Sequence, residues 1–269
     1  MSKIHPTAVI MENVTLGEDV EIGPFTVIQS NVSIGDGCYI DSHVTIGHDT
    51  SIGARCRIYH GALVGIDPQD HRFDPNIPAR TVIGSDTVIR EYVTIHRSPF
   101  ENGETRIGNH VLLMGFVHIG HDCRIADRVT IANSTAVSGH CEIGEGAVLS
   151  GYILIHQFSR IGALAMVSAR TIIVQDIPPF CLLAENNHIF GVNTVGLRRN
   201  DISGEDRTAI KRAVRLYFYS GLNGTNALEE IAKAPENRYV TDFLEFIKAG
   251  KRGVMPGDPG LIRKVEEED

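Results

Sequence analysis

The feature that most constrains the fold of this chain is a six-residue repeat. Every sixth residue from Ile4 to Val64 is leucine or a β-branched aliphatic residue, and the position four residues later in each repeat is small or β-branched. The pattern resumes at Ile89 and Ile95 and then continues over residues 107–173. An α-helix has about 3.6 residues per turn, so these side chains would drift around a helix instead of lining one face. The repeat predicts short strands and turns, three of which make one coil of a parallel β-helix.

Glycine often follows the large aliphatic residue of the repeat, as at Gly17, Gly23 and Gly35, and we expect it to permit the corner of the coil. The phase of the repeat is lost between Val64 and Ile83, and again around the segment SPFENGET. Two loops are therefore predicted to leave the coil, near residues 66–80 and 97–105. The repeat and its loops predict a mainly β domain over residues 1–190.

Residues 191–269 are predicted to form a small α-helical C-terminal domain with an acidic tail. One helix is expected in DISGEDRTAIKRAVRLYFYSG, with Ser203 as its N-cap, Asp206 three residues later and Gly221 near its end. NALEEIAKA and TDFLEFIKAG read as two more helices, the second ended by Gly250. The segment VQDIPPFCLLAENNHIFGVNTVGL shows no helical period and is predicted to be a connection, and GDPGLIRKVEEED is predicted to be the tail.

Composition narrows the class of protein. The net charge of −8 argues against a nucleic-acid-binding protein, because such a chain repels phosphates overall. The N-terminal residues MSKIHPTAVI lack the apolar segment of a signal peptide, and no run approaches the roughly 18 apolar residues of a membrane span. A cytoplasmic protein is therefore expected. Four of the five cysteines occupy the small inward position of the repeat, so neither disulfides nor a thiolate metal site is expected: Cys38, Cys56, Cys123 and Cys141.

The stretch VHIGHDCRIAD, residues 117–127, contains His118, His121 and Asp122. Alone this motif is weak evidence for a site. Three repeats make a coil of 18 residues, so residues 18 apart lie above one another in successive coils and form a column. His140 lies in the column of Asp122, and His156 lies two columns away. Histidines from three successive coils are therefore predicted on one edge of the β-helix, within about 10 Å at the usual strand spacing.

Two chemistries are open for this edge. A zinc site would bring three neutral imidazoles to about 2.0–2.1 Å from one ion. Alternatively, one histidine takes a proton from an attacking hydroxyl, and Asp122 sets its tautomer and stabilises the imidazolium. The backbone amide of Gly139, beside His140, is a candidate to stabilise an oxyanion. A non-catalytic β-helical scaffold with surface histidines is the third possibility.

Several longer motifs favour the second chemistry by resemblance. The chain contains, in this order, GPFTVI, QDHRF, VTIHR, HIGHDC, SGH, IHQF, QDIPPF, FGVN and GLRR, between about Ile4 and Gly253. It thereby resembles the acyl-carrier-protein-dependent UDP-N-acetylglucosamine O-acyltransferases, which make the first acylation of lipid A biosynthesis. The resemblance implies a left-handed β-helix, a homotrimer with active sites between subunits, and no cofactor or metal. The runners-up are a cousin that N-acylates a later lipid A intermediate and a β-helical zinc enzyme of the carbonic anhydrase type.

The resemblance also implies roles for individual residues. His121 is similar to the general base that deprotonates the sugar 3-hydroxyl, with Asp122 as its partner, and the Gly139 amide is similar to the oxyanion donor. The hydroxyl would attack the thioester of a 3-hydroxyacyl chain on acyl carrier protein. The positions that match substrate-binding residues of the family are Asp70, Arg72, His118, His140, His156, Gln157, Asn193 and Arg199. Arg72, Val195 and Asn200 depart from the residues common in the family at their positions.

A residue that limits acyl length is also implied, and the match falls on Ala169, with His188 the next candidate. From His121 to Ala169 is 48 residues, or about 2.7 coils, which is roughly 13 Å at the strand spacing. An extended alkyl chain advances about 1.3 Å per carbon, judged from bond lengths of about 1.5 Å. The spacing therefore predicts a preference for acyl chains of about ten to twelve carbons.

Overall fold

The computed structural model describes residues 2–71 and 73–260. Arg72, a predicted substrate contact, and most of the predicted acidic tail lie outside the described residues. The described residues up to 173 form a β-helix of stacked coils, and each complete coil contributes one short strand to each of three sheets.

The three sheets, named A, B and C here, are parallel apart from the last strand pair of sheet A. Sheet A contains β1 (Lys3–Ile4), β4 (Glu21–Ile22), β7 (Tyr39–Ile40), β10 (Arg57–Ile58), β13 (Val88–Ile89), β16 (Leu112–Leu113), β19 (Thr130–Ile131), β22 (Val148–Leu149), β25 (Met166–Val167), β27 (Cys181–Leu183) and β28 (Ile189–Val192). Sheet B contains β2 (Val9–Ile10), β5 (Val27–Ile28), β8 (Thr45–Ile46), β11 (Leu63–Ile66), β14 (Thr94–His96), β17 (His118–Ile119), β20 (Ala136–Val137), β23 (Leu154–Ile155) and β26 (Ile172–Ile173). Sheet C contains β3 (Thr15–Leu16), β6 (Ser33–Ile34), β9 (Thr50–Ile52), β12 (Arg80–Ile83), β15 (Glu104–Ile107), β18 (Arg124–Ile125), β21 (Glu142–Ile143) and β24 (Arg160–Ile161).

The aliphatic residues of the repeat stack in register along the axis. In sheet A, for example, Ile22 pairs with Ile40 and Ile40 with Ile58. Ile40 and Ile58 are fully buried in a single core that runs the length of the coil. The prediction of a parallel β-helix is therefore confirmed, because a period of six delivers one large inward side chain to each strand of every coil.

The expected role of glycine at the corners was wrong. The left-handed residue of each corner lies three positions after the aliphatic residue and is usually not glycine, as at Asn31 (φ 60°) and His43 (φ 56°). The glycine directly after the aliphatic residue serves a different purpose. A Cβ on Gly35 would lie 2.7 Å from the Ala54 backbone nitrogen in the next coil. Glycine is thus required for close stacking of the coils.

The two predicted loops are present. The first connects β11 to β12, and the second connects β14 to β15. Arg97, at the start of the second loop, is fully buried and holds the first loop. Its guanidinium donates to Asp67 Oδ1 at 3.0 Å and to the Pro75 carbonyl at 2.9 Å, and lies over the Phe73 ring. The two loops therefore pack as one unit.

The C-terminal residues that the structure describes, up to residue 260, form four helices, α1 (Thr194–Arg199), α2 (Gly204–Tyr219), α3 (Gly224–Ala232) and α4 (Arg238–Ala249). Ser203 caps α2 as predicted, because its hydroxyl accepts a hydrogen bond from the Asp206 amide at 3.1 Å. The predicted connection before α2 was wrong in part, since it contains β27, β28 and α1. These elements are too short to show a period in the sequence. The predicted boundary between the β domain and the helical domain, at residues 190 and 191, stays a prediction. This boundary lies within β28.

Within the ranges that the structure describes, no helix has the length and apolar character needed to span a membrane.

Candidate active site

The predicted histidine edge is the corner where the chain passes from sheet B to sheet C. His121 and Asp122 follow β17, Gly139 and His140 follow β20, and Phe158 follows β23. Asp122, His140 and Phe158 each occupy the left-handed corner position, with φ of 59°, 60° and 65°. Equivalent corner geometry in successive coils therefore stacks these side chains along one edge.

His121 and Asp122 form a hydrogen-bonded pair. Nδ1 of His121 lies 2.8 Å from Oδ2 of Asp122, and the two side chains are 22% and 13% exposed. Burial favours a higher pKa for Asp122, but hydrogen bonds from His121 and Ser98 and the nearby His140 lower its pKa overall. An ionised Asp122 accepts the Nδ1 proton of His121, which leaves Nε2 as the basic nitrogen. This is the geometry of a general base held by its carboxylate.

His140 completes the cluster with two aromatic neighbours. Its ring centroid lies 5.0 Å from that of His121, and its Nε2 is 3.9 Å from Asp122 Oδ2. The ring stacks on Phe158 at 4.6 Å and faces Phe100 of the second loop at 5.6 Å. Burial, together with His121, lowers the pKa of His140 although Asp122 opposes the shift. His140 is therefore predominantly neutral at pH 7.

His118 lies on β17 beside this cluster. Its Nδ1 is 2.9 Å from Thr94 Oγ1, and its ring centroid is 4.9 Å from that of His96. Burial and the neighbouring His96 lower the pKa of His118 to about 4. His118 is therefore neutral at physiological pH and suited to hydrogen bonding with a substrate.

Gly139 is the residue on which the His121 ring rests. A Cβ at this position would lie 2.6 Å from His121 Nε2, so only glycine leaves room for the ring. The Gly139 amide donates no backbone hydrogen bond within the part of the chain that the structure describes. An N–H without a backbone acceptor is the kind of group that stabilises an oxyanion, and this role of Gly139 stays a prediction.

The remaining predicted residues lie outside this cluster. His156 is exposed, and its Nδ1 is 3.1 Å from the Gln157 carbonyl. Asn193 is buried as the N-cap of α1, with Oδ1 accepting from the Gly196 amide and Nδ2 donating to the Leu164 carbonyl. The others are spread over the chain: Asp70 in the first loop, Ala169 between β25 and β26, His188 between β27 and β28, and Arg199 on α1. Their roles stay predictions.

The sequence did not indicate several residues that contact the cluster. Phe100 faces both His121 and His140, and Ser98 hydrogen-bonds Asp122. Thr105 accepts a hydrogen bond from the Asp122 amide. Ser98 and Phe100 belong to the second loop, where the six-residue phase that locates side chains is absent.

Three side chains could also hold a metal ion, since the ligand atoms of His121, Asp122 and His140 lie within 4.8 Å of one another. The zinc hypothesis required His156 as the third imidazole, and His156 is turned to Gln157 instead. A carboxylate hydrogen-bonded to Nδ1 of one histidine orients a base without any metal. We therefore favour proton transfer.

Exhaustive chelation is expected to leave acyl-transfer activity intact, because proton transfer by His121 requires no ion. The purified protein should contain zinc well below one equivalent by elemental analysis. Loss of activity on chelation, with recovery on adding zinc, would instead support a metal at His121, Asp122 and His140.

Comparison with known proteins agrees with the fold. A family model for bacterial transferase hexapeptides matches residues 31–65 and 104–139. A second model, described as UDP-N-acetylglucosamine O-acyltransferase, domain 2, matches residues 176–255. The coil and its histidine edge thus define a hexapeptide-repeat transferase.

Curated relatives narrow this class. The acyl-[acyl-carrier-protein]–UDP-N-acetylglucosamine O-acyltransferase of Paraburkholderia phymatum is 43% identical over 95% of this chain and 100% of its own length. The enzyme of the same name from Aliarcobacter butzleri is 40% identical over 94% of this chain and 98% of its own length. The chain belongs to the acyl-[acyl-carrier-protein]–UDP-N-acetylglucosamine O-acyltransferase family.

Solved structures support the same assignment. The UDP-N-acetylglucosamine acyltransferase of Francisella novicida superposes with a TM-score of 0.91 at 35% identity, covering 95% of this chain and 94% of that one. The Bacteroides fragilis enzyme gives 0.89 at 35% identity, covering 93% and 99%. The similarity therefore extends over the coil and the helices together.

Proposed function

We propose that this chain transfers a 3-hydroxyacyl group from acyl carrier protein to the 3-hydroxyl of the glucosamine ring of UDP-N-acetylglucosamine, the first step of lipid A biosynthesis. The relatives named above carry the donor and the acceptor in their names. The observation that carries the proposal is the His121–Asp122 pair with the Gly139 amide beside it. Acyl carrier protein and the sugar nucleotide are the partners, and we propose the cytoplasm as the site of the reaction.

The chemical step uses each member of this group. Nε2 of His121 takes the proton from the sugar hydroxyl as its oxygen attacks the thioester carbonyl. Asp122 stabilises the resulting imidazolium, and the Gly139 amide donates to the oxyanion of the tetrahedral intermediate. The carbon–sulfur bond then breaks, and the leaving thiolate takes the proton from His121. The products are the 3-O-acyl sugar nucleotide and free carrier thiol.

A column of mainly apolar side chains on the outer face of sheet B supports the proposal that the donor carries an acyl chain. His118, Ala136, Leu154 and Ile172 are in register on β17, β20, β23 and β26. Leu154 and Ile172 are 54% and 53% exposed, which is unusual for side chains of this size on a strand. An alkyl chain that leaves the active site along this column would cover them.

Acyl length should respond to Ala169. Ala169→Gly is expected to shift the preferred donor from about ten to twelve carbons towards longer chains, and Ala169→Met towards shorter ones, because the side chain would close the end of the groove. The measurement is kcat/KM for a series of 3-hydroxyacyl carrier-protein thioesters. If all three proteins give the same length profile, another residue limits the chain, and His188 is the next to substitute.

A homotrimer is the assembly that we propose. Aromatic rings form a continuous column along the corner between sheets A and B, with centroids 5.0–5.4 Å apart: Phe25, His43, His60, Tyr92 and Phe116. Phe25, Tyr92 and Phe116 are about half exposed in the single chain, which favours burial against other subunits. Sedimentation equilibrium should give three times the chain mass of 29.4 kDa, and a monomer at assay concentration would contradict the trimer.

The function is tested by incubating the protein with a 3-hydroxyacyl carrier-protein thioester and UDP-N-acetylglucosamine. An ester at the sugar 3-position is the expected product, and mild alkali should release its acyl chain. An alkali-stable amide would support the N-acylating alternative. Absence of transfer with every donor length would contradict the proposed activity.

A further inference from the structure

The second loop and the strand that follows it close on Asp122. Ser98, near the start of the loop, is fully buried and lies close enough to the Asp122 carboxyl to lower its pKa. Thr105, on β15 directly after the loop, is also fully buried, and its Oγ1 accepts a hydrogen bond from the Asp122 amide at 2.8 Å. The backbone of Asp122 is thus held by the strand on which this loop ends.

The same Thr105 hydroxyl also contacts β14. It donates to the His96 carbonyl at 2.7 Å, and Nδ1 of the His96 ring lies 2.7 Å from the Asp67 carbonyl in the first loop. A continuous set of hydrogen bonds therefore runs from the first loop through His96 and Thr105 to Asp122. Any shift of either loop would move the carboxylate that orients His121.

Other threonines of the coil make a similar bridge without a link to the site. Thr87 Oγ1 donates to the Gly108 carbonyl at 2.9 Å and accepts from the Val111 amide at 3.2 Å. A buried threonine hydroxyl that joins a carbonyl and an amide is therefore a recurrent structural feature of this fold. What distinguishes Thr105 is that its amide partner is Asp122, a left-handed residue whose side chain pairs with His121.

We propose that Thr105 is a positioning residue of the acyl-transfer reaction, which fixes Asp122, and through it His121, by holding the Asp122 amide. This inference rests on the proposed function. Thr105 touches neither substrate nor the reacting atoms, and it acts through the orientation of the carboxylate.

Loosening Asp122 should lower the rate of acyl transfer. Of the charged and titratable groups that face His121, which are Asp122, His140 and His96, only Asp122 stabilises the imidazolium that forms when the base takes the proton. A displaced carboxylate would stabilise that imidazolium less and would orient the ring less well. The loss should therefore appear in kcat and not in the KM for the sugar nucleotide.

The test compares Thr105→Val, Thr105→Ser and Thr87→Val in the same acyl-transfer assay as the wild type. Thr105→Val is expected to lower kcat roughly 10- to 100-fold, the scale of a small misplacement of a catalytic group. The KM for the sugar nucleotide should be unchanged, and Thr105→Ser should restore kcat. Thr87→Val removes an equivalent buried bridge and should leave kcat unchanged.

A double-mutant cycle separates positioning from general damage. In an Asp122→Asn background, Thr105→Val should have almost no further effect, because the carboxylate through which it acts is already lost. Equal losses in both backgrounds, or equal losses for Thr105→Val and Thr87→Val, would overturn the inference. If Thr105→Val fails to fold, Thr105→Ala takes its place in the same cycle, and additive losses would overturn the inference. An inactive wild type would contradict the proposed function, whereas an active wild type with unaffected variants would contradict only the positioning role.

Discussion

His121→Ala should fold as the wild type does and lose acyl-transfer activity by a factor of roughly 10²–10⁴, the contribution of a positioned general base. The side chain lies at a corner outside the core, and Asp122 keeps its contacts to Ser98 and Thr105. The loss in unfolding free energy should therefore be about 1 kcal/mol, the usual scale for one hydrogen bond. The measurements are kcat/KM and the thermal midpoint of the purified variant.

The chain contains a matched control for this variant. Nδ1 of His48 lies 2.7 Å from Asp49 Oδ2, Asp49 is also left-handed (φ 55°), and the pair follows β8 on the same corner between sheets B and C. His48→Ala thus removes the same type of histidine–aspartate pair at the same point of the repeat, three coils away. It should retain full activity. Near-normal turnover by His121→Ala, or an equal loss in His48→Ala, would rule out His121 as the base.

Gly139→Ala is expected to lower kcat by roughly 10²-fold, the scale of a misplacement of a catalytic group by about 1 Å. The added methyl group would lie 2.6 Å from His121 Nε2, so the imidazole must move away from the Gly139 amide. The ring is the end of a side chain and can shift, so the fold should be retained. The base and the oxyanion donor would then no longer face one carbonyl group.

Gly115→Ala is the control variant for Gly139→Ala. Its Cβ would come 3.3 Å from the Asn133 side-chain amide, a contact that a small movement relieves, and no catalytic group is involved. It should behave as the wild type in stability and in kcat. Full activity in Gly139→Ala would mean that the packing of the His121 ring against Gly139 contributes nothing to the reaction.

The sequence predicts this fold well because the six-residue repeat determines which side chains point into the core of the coil. One large aliphatic residue in every six delivers Ile22, Ile40 and Ile58 to the same inward column. The same arithmetic brings His121 and His140 together, since residues 18 or 19 apart in the regular coils lie on one corner.

The same spacing argument fails where the six-residue repeat is interrupted or where a side chain can adopt more than one rotamer. Phe100 and Ser98 contact the histidine cluster from a loop in which the six-residue repeat is absent. The repeat therefore could not predict where their side chains lie. His156 occupies the predicted corner, but its ring bonds the Gln157 carbonyl instead of joining the cluster. A column fixes the position of a Cα atom and leaves the side-chain rotamer open.

The most direct test of the central claim is acyl transfer by the wild type and by His121→Ala, measured side by side with a 3-hydroxyacyl carrier-protein thioester and UDP-N-acetylglucosamine. The product should be identified by mass and by alkaline release of its acyl chain. The account predicts a 3-O-acyl ester from the wild type and a loss of at least about 10²-fold in the variant. No ester from the wild type, or comparable rates for the two proteins, would contradict it.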